Sequence, residues 1–542
     1  MVVSAAELLL WNRCRRQWEH HCLQEGRRIP ALPREMTGEA NLRETARVTR
    51  LGIQLLYPHA QDASQGILGE AVGPPCSALP AMVLDPDRLA AWYAATMDLL
   101  DRATDVHSAV LISHGLAVLV DLMTWHPRLN GWRVELFRPG TGLRGVYTME
   151  AAMVAEVCHG LEIPIAELVI RYLDKSFRLP EDGNYQGLFQ ESNLRQRAEK
   201  KRRTVADDRD ALIAVLSGEE SIAGDYRCAQ RCSLCVPRPK RDDNELFSVF
   251  TLHKGGQLAR ELAGEGVTDL RDVDTSARRI SGKQRIQIEA VLSGEVYVHA
   301  PRLQQFLARL TPPVLFLDFE AYAPALPPFA GLAPYEHVPV IASLHRLEHL
   351  SDPVATVEHQ EFSALPGVDD RIRFFRWLRE RCMDIGSIVV FSKGFESAMV
   401  RQLAARAQEP EEGERIVTRM VDLLEPFSEF TVYHPNQRGK VSLKRVLPSL
   451  TEAHYEDSPL QDGMHANLAY TRLADAAAKV EPARGAAAAA EAVSGAMGRF
   501  APAGAGDPAS VEEILAYCSV DTIAMVHLIR RLQVLASERA AT

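Results

Sequence analysis

The chain contains no apolar run approaching the roughly 18 residues that a membrane-spanning helix requires, which argues against an integral membrane protein. It has no surplus of basic charge either. Its 61 lysines and arginines face 71 acids, giving a formal net charge of -10. A passive polyanion binder usually carries a strongly basic footprint, so that class is disfavoured, whereas an enzyme with an acidic centre in a local basic cleft is not. Cysteine is sparse. Nine in 542 residues read as thiols or metal ligands rather than as a disulfide framework. Near the start, Glu7, Arg13, Arg15 and Arg16 stand where a secretory signal would place an apolar block and a small-residue cleavage site. A cytoplasmic location is therefore expected. No internal repeat of fixed period stands out.

What is present is ample core material, 46% hydrophobic against 24% charged, in a length that suggests about three domains. Residues 1–240 mix helical and strand patterns and end in a cysteine cluster. Residues 241–310 look mostly helical, punctuated by Gly255, Gly256, Gly264 and Gly266. From 311 to 542 strands and helices alternate: Val314 to Phe319, Val338 to Leu347, and Ile388 to Phe391 followed by a helix around Ser397 to Ala407. That alternation predicts an α/β layer fold. Residues 476–509 are rich in Ala, Gly and Pro, as expected of a mobile insertion. Ser510 and Glu513 have the spacing of a capping box that would start a last helix.

The apolar run Val314-Leu315-Phe316-Leu317 ends in Asp318-Phe319-Glu320. On a strand, residues two apart share a face, so both acids point one way and Phe319 the other. Two buried carboxylates repel each other and lose solvation unless a cation compensates, though a solvated strand end would look the same in sequence. In the last helix, Ile514, Cys518, Met525 and Ile529 form an apolar stripe that includes Asp521, and Tyr517 lies one turn earlier. The two could simply hydrogen-bond each other. Glu396 follows the strand Ile388 to Phe391 across the turn Ser392-Lys393-Gly394-Phe395, and such turns are where α/β sheets collect ligand sites.

Together, Asp318, Glu320, Glu396 and Asp521, with Tyr517 beside the last, resemble the motif set of DnaQ-like (DEDD) exonucleases. The Tyr-x-x-x-Asp form resembles the subgroup that uses tyrosine. This resemblance spans roughly residues 312–535 and implies an RNase H-like mixed sheet whose four acids hold two Mg2+ or Mn2+ ions. It further implies that Asp318 bridges the metals, that Glu320 and Asp521 complete one site, and that Glu396 acts through water. Tyr517 would orient the attacking water, since a phenol titrating near 10 is a poor base. The family's second motif is usually Asn-x-x-Phe-Asp, and here Ser392 and Glu396 replace the Asn and Asp. Asp422 is the alternative third acid. Ser442 to Leu447 resembles a further family segment, in which Lys444 or Arg445 would touch a phosphate or merely be solvated.

Cys228, Cys232 and Cys235 fall within eight residues and call for a fourth ligand, either Cys14 or Cys22. A distant N-terminal cysteine joined to such a trio resembles the iron-sulfur staple of RecB-like PD-(D/E)XK nucleases. That resemblance implies a 4Fe-4S cluster held by Cys14, Cys228, Cys232 and Cys235, with Zn2+ as the alternative. Leu116 to Asp121 and Trp132 to Phe137 resemble the two nuclease strands, but Phe137 replaces the expected lysine and Val154 the expected glutamine. Without that lysine this half is expected to bind rather than cut. The basic run Arg195 to Arg203 is either a phosphate contact or a solvated helix face. Residues 262–270 resemble a helix-hairpin-helix turn, or a plain spacer.

A degenerate RecB-like half, a helical connector and a DnaQ-like half resemble an uncharacterised bacterial family known by its domain. Phe319 to Pro327, Pro334-Tyr335 and Ser343-Leu344-His345 are typical of it. The expected function is a metal-dependent 3'-5' exonuclease acting on a single-stranded or frayed DNA or RNA end. The competing expectation is a catalytically impaired nucleic-acid-binding or partner-recruiting protein. The sequence leaves DNA against RNA, and oligomeric state, open.

Overall fold

Long apolar runs become central strands in both halves of the chain. The computed structural model describes residues 2–15, 18, 37–65, 67, 85–220, 245–276, 279–382, 386–453, 463–480 and 511–538. Contacts divide the chain into two units, Met1–Val236 with Ala323–Glu336, and Pro237–Tyr322 with His337–Thr542. Both are α/β, with mixed sheets. Among the described residues, no helix is long and apolar enough to cross a membrane.

The first unit is built on seven strands: β1 (Val3–Ser4), β2 (Gln61–Asp62), β3 (Asp105–Ser113), β4 (Leu116–His126), β5 (Gly131–Arg138), β6 (Ile165–Leu173) and β7 (Phe189–Asn193). Their order is β2-β3-β4-β5-β6-β7, with β1 pairing β4. Strands β3, β4 and β5 form an antiparallel meander, whereas β5 and β6 are parallel and so need a crossover. Helix Gly145–Gly160 supplies it. Residues 151–158 of that helix are all buried, as expected of a helix covered on both sides, here by the sheet and by helix Arg195–Ser217.

Segment Ala323–Glu336 is proline-rich, and its backbone finds its partners within this unit. The Ala325 N–H donates to Glu44 Oε2 at 2.9 Å, the Ala330 N–H to Asp182 Oδ1 at 2.7 Å, and the Tyr185 hydroxyl to the Pro327 carbonyl at 3.0 Å. The sequence reading had kept these residues with the block from 311 onward. Residues 245–310 are largely short helices, and they belong to the second unit.

The second unit holds a small pair, β8 (Tyr297–Val298) with β14 (Val432–Tyr433), and a five-stranded sheet. The sheet's strands are β9 (Val314–Tyr322), β10 (Val338–Leu347), β11 (Glu358–Ser363), β12 (Ser387–Val390) and β13 (Met420–Asp422), in the order β11-β10-β9-β12-β13. Strand β10 is antiparallel to both neighbours, and β9, β12 and β13 are parallel. Central β9 is covered on both faces, which explains its unbroken apolar run: Val314, Leu315, Phe316 and Leu317 are fully buried. Phe316 and Val314 share a core with the last helix, Val511–Glu538, while Phe319 packs on Phe374 of helix Arg371–Cys382 on the opposite face. The last helix begins at Val511, where the capping pattern predicts it, and Ser510 lies outside the described residues.

Gly386 shows how tightly β9 and β12 are joined. Its φ is 60°, and an added Cβ would lie 1.7 Å from the Pro313 carbonyl oxygen, just where Ser387 pairs with Val314. Gly386→Ala should lower the urea midpoint by the equivalent of about 3 kcal/mol or more. Gly294→Ala, at φ 73° with nothing within 4 Å of the new Cβ, should cost only about 1 kcal/mol. Equal losses would show that the clash is not the cause.

Candidate metal centre

Strand β9 emerges from its apolar core just as Asp318 and Glu320 reach the face covered by the last helix. That helix brings Asp521 to meet them. One carboxylate oxygen from each of Asp318, Glu320 and Asp521 lies within 4.8 Å of the others. Glu320 is only 8% exposed. At that separation, and with an effective dielectric constant of about 20, each ionised pair repels by about 3 kcal/mol. Among the described residues this is the one such cluster.

Glu396 lies in the first turn of helix Lys393–Arg406, directly after β12. The turn is made by Ser392, which adopts a left-handed conformation at φ 91° that disfavours non-glycine residues by about 1–3 kcal/mol. Asp422 stabilises it. Its two carboxylate oxygens accept the N–H groups of Ser392 at 3.0 Å, Lys393 at 3.1 Å and Leu424 at 3.0 Å. Asp422 is thereby engaged as a backbone acceptor that builds the turn, and Glu396 is the acid the turn delivers. Glu396 is 2% exposed, and its Oε2 has no hydrogen-bond partner among the described residues.

Burial is the main force on these groups. It pushes the Glu396 carboxyl well above its ordinary range, and the charges of Asp318, Glu320, Asp422 and Asp521 push it further. Burial and the neighbouring Asp521 likewise raise Asp318, against a thiol hydrogen bond that lowers it. That thiol is Cys518, whose Sγ–H donates to Asp318 Oδ2 at 3.4 Å. Burial and the surrounding acids keep Cys518 protonated. The sequence reading placed Cys518 on the apolar stripe and missed this contact; its position three residues before Asp521 was the available signal.

A buried carboxylate oxygen without a partner, beside three converging carboxylates, fits a bound cation. The all-oxygen donor set suits Mg2+ or Mn2+. Asp318, Glu320 and Asp521 are close enough to share one ion, and Glu396 faces the same charge cluster. Tyr517 is buried one helical turn before Asp521, and the Lys444 ammonium sits over its ring at 4.6 Å from the centroid.

The acids of the first unit are arranged otherwise. Asp121 accepts the Phe137 N–H and Arg138 Nη1, both at 2.8 Å, and Arg138 also binds Glu150. Glu135 accepts from the Tyr57 hydroxyl at 2.6 Å, from Arg133 Nε at 2.8 Å and from Arg171. Burial pushes the Glu135 carboxyl up, but the hydrogen bonds from Arg171 and Tyr57 outweigh it and hold it below its ordinary value. Burial still pushes the Asp121 carboxyl up despite Arg138, so each acid is paired with its own arginine but only Glu135 is held below its ordinary value. Phe137 and Val154 are buried among apolar side chains. Cys14 is a buried thiol at the end of helix Ala5–Arg13. Cys228, Cys232 and Cys235, like Cys22, lie outside the described residues.

Residues 315–442 match a family described as a domain of unknown function (DUF2779). The matched stretch includes Asp318, Glu320, Glu396 and Asp422, and ends before the helix that carries Tyr517 and Asp521. No match was found among curated proteins or among solved structures.

Raised carboxyl values carry a definite pH dependence. The metal-free fold retains protons that the unfolded chain has already lost, so its stability falls as pH rises from about 4 towards the raised values. Metal-free Glu396→Gln should therefore melt higher than wild type at pH 7.5, by about 2–4 °C per kcal/mol relieved. The advantage should shrink at pH 5, and Mg2+ or Mn2+ should narrow it at pH 7.5. A difference independent of pH would overturn this electrostatic account.

Proposed function

We propose that the chain is a metal-dependent 3'-5' exonuclease of the DnaQ-like, tyrosine-containing kind, hydrolysing phosphodiester bonds at single-stranded or frayed nucleic-acid ends. The observation that carries this reading is the convergence of Asp318, Glu320 and Asp521 beside the buried, unpartnered oxygen of Glu396. The sheet supports it as well. Five strands in the order β11-β10-β9-β12-β13, with β10 antiparallel to its neighbours, suit an RNase H-like domain.

Bound Mg2+ or Mn2+ would supply Lewis-acid stabilisation of charge at the reacting phosphate. The chain's own residues have separate tasks. Asp318, Glu320, Asp521 and Glu396 supply the anionic cradle. Tyr517 would orient the attacking water by its hydroxyl, and the Lys444 ammonium stacked on that ring would hold a substrate phosphate. Polarity from the 3' end is taken from the family resemblance.

The first unit would grip substrate without cutting, because its candidate acids are already paired with arginine. Helix Arg195–Ser217 exposes Arg197, Lys200, Lys201 and Arg203, which make no ion pair among the described residues, whereas Arg202 is held by Glu156 and Glu199. An exposed cationic run at a helix start, where the helix dipole disfavours cations, suits a phosphate backbone. A structural iron-sulfur cluster or zinc site in this unit is part of the same proposal.

The decisive assay compares wild type, Asp318→Ala and Glu135→Gln on 5'-labelled single-stranded DNA and RNA with Mg2+ or Mn2+. Wild type and Glu135→Gln should produce a ladder, and Asp318→Ala should lose at least about 100-fold in rate. Equal laddering by wild type and Asp318→Ala, or none from folded wild type, would sink the assignment. For Lys444→Ala, KM should rise more than kcat falls, and the salt slope of binding should drop by about 0.7. An unchanged slope would remove Lys444 from the substrate contact.

A further inference from the structure

We propose that Thr522 is a positioning residue of the metal centre, its hydroxyl fixing the helix that carries Asp521 against the sheet that carries Asp318. The inference rests on the metal-centre reading above. Thr522 is fully buried and follows Asp521 directly. Its Oγ1 lies 2.8 Å from Ser343 Oγ and 2.8 Å from His345 Nδ1. Ser343 is no ordinary neighbour: on β10 it pairs directly opposite Asp318. One hydroxyl therefore links the residue after one acid to the strand partner of another.

A proton count gives the network a direction. A threonine hydroxyl has one proton and two lone pairs. Two helix carbonyls lie within reach of that proton, Cys518 at 3.3 Å and Ser519 at 3.0 Å, and donation to Ser519 is the arrangement common for threonine within helices. Oγ1 is then left to accept from both the Ser343 hydroxyl and the His345 Nδ1–H. Ser343, having donated, accepts in turn from His359 Nε2 at 3.0 Å. Every proton has an acceptor with both imidazoles neutral. Burial, reinforced by the stacked His359 ring at 4.4 Å, pushes His345 down to about 4, in keeping with a neutral ring.

Each of these carboxyls that ionises adds a push between the helix and β9, and the Thr522 hydroxyl anchors the helix at the residue next to Asp521. Valine has nearly the same shape as threonine but accepts nothing. Thr522→Val should leave the two donors without an acceptor, let the helix shift, and widen the acid cluster.

The test is Mn2+ binding followed by electron paramagnetic resonance, with circular dichroism and melting to check folding. Wild type should bind Mn2+. Thr522→Val should bind about tenfold more weakly, with an altered bound-state spectrum, while Thr522→Ser, which keeps the hydroxyl, should stay within about twofold. Ser343→Ala, which removes one donor, should lose about threefold and decides the question if the valine variant does not fold. Wild-type affinity in Thr522→Val or Ser343→Ala, or equal losses in Thr522→Val and Thr522→Ser, would overturn the positioning role. Failure of wild type to bind Mn2+ would instead overturn the metal centre, and this inference with it.

Discussion

Like charges held together against their repulsion set the terms for the second unit. Asp318, Glu320 and Asp521 converge within 4.8 Å, and Glu396, pushed up by burial and by the same charges, has no partner for one oxygen among the described residues. Such a cluster persists only where packing over-determines it. Here β9 is buried on both faces, and the last helix contributes an apolar stretch from Ala524 to Ala536 to the same core. The apolar surface that builds the sheet thus supplies the stability that the acids take away.

The two units handle buried acids in opposite ways. In the first, Asp121 and Glu135 are met by guanidinium groups from Arg138, Arg133 and Arg171, so their charges are compensated within the chain. At the candidate centre of the second, acids are grouped with acids.

Much of this was legible in the sequence because the relevant signals are local. Val314 to Leu317 announces a central strand, Asp318 and Glu320 share a face by simple alternation, and the capping pattern sets the start of the last helix. The role of Asp422 was not legible, since its bonds run to Ser392 and Lys393 across about thirty residues. Cys518 looked like one more apolar stripe residue until the fold set it against Asp318. Least visible was Thr522, whose partner His345 is 177 residues away. Polar contacts between distant segments leave no periodicity to read. The cysteine trio falls outside the described residues.

Ser392 gives the motif around Glu396 a different meaning. Its side chain makes no capping hydrogen bond, and its backbone occupies left-handed space that asparagine enters more readily than serine. Asparagine in place of Ser392 would therefore ease the turn through backbone handedness rather than through anything its amide touches. The turn's shape thus rests on the Asp422 carboxylate reaching across from the neighbouring strand, and not on the side chain at position 392.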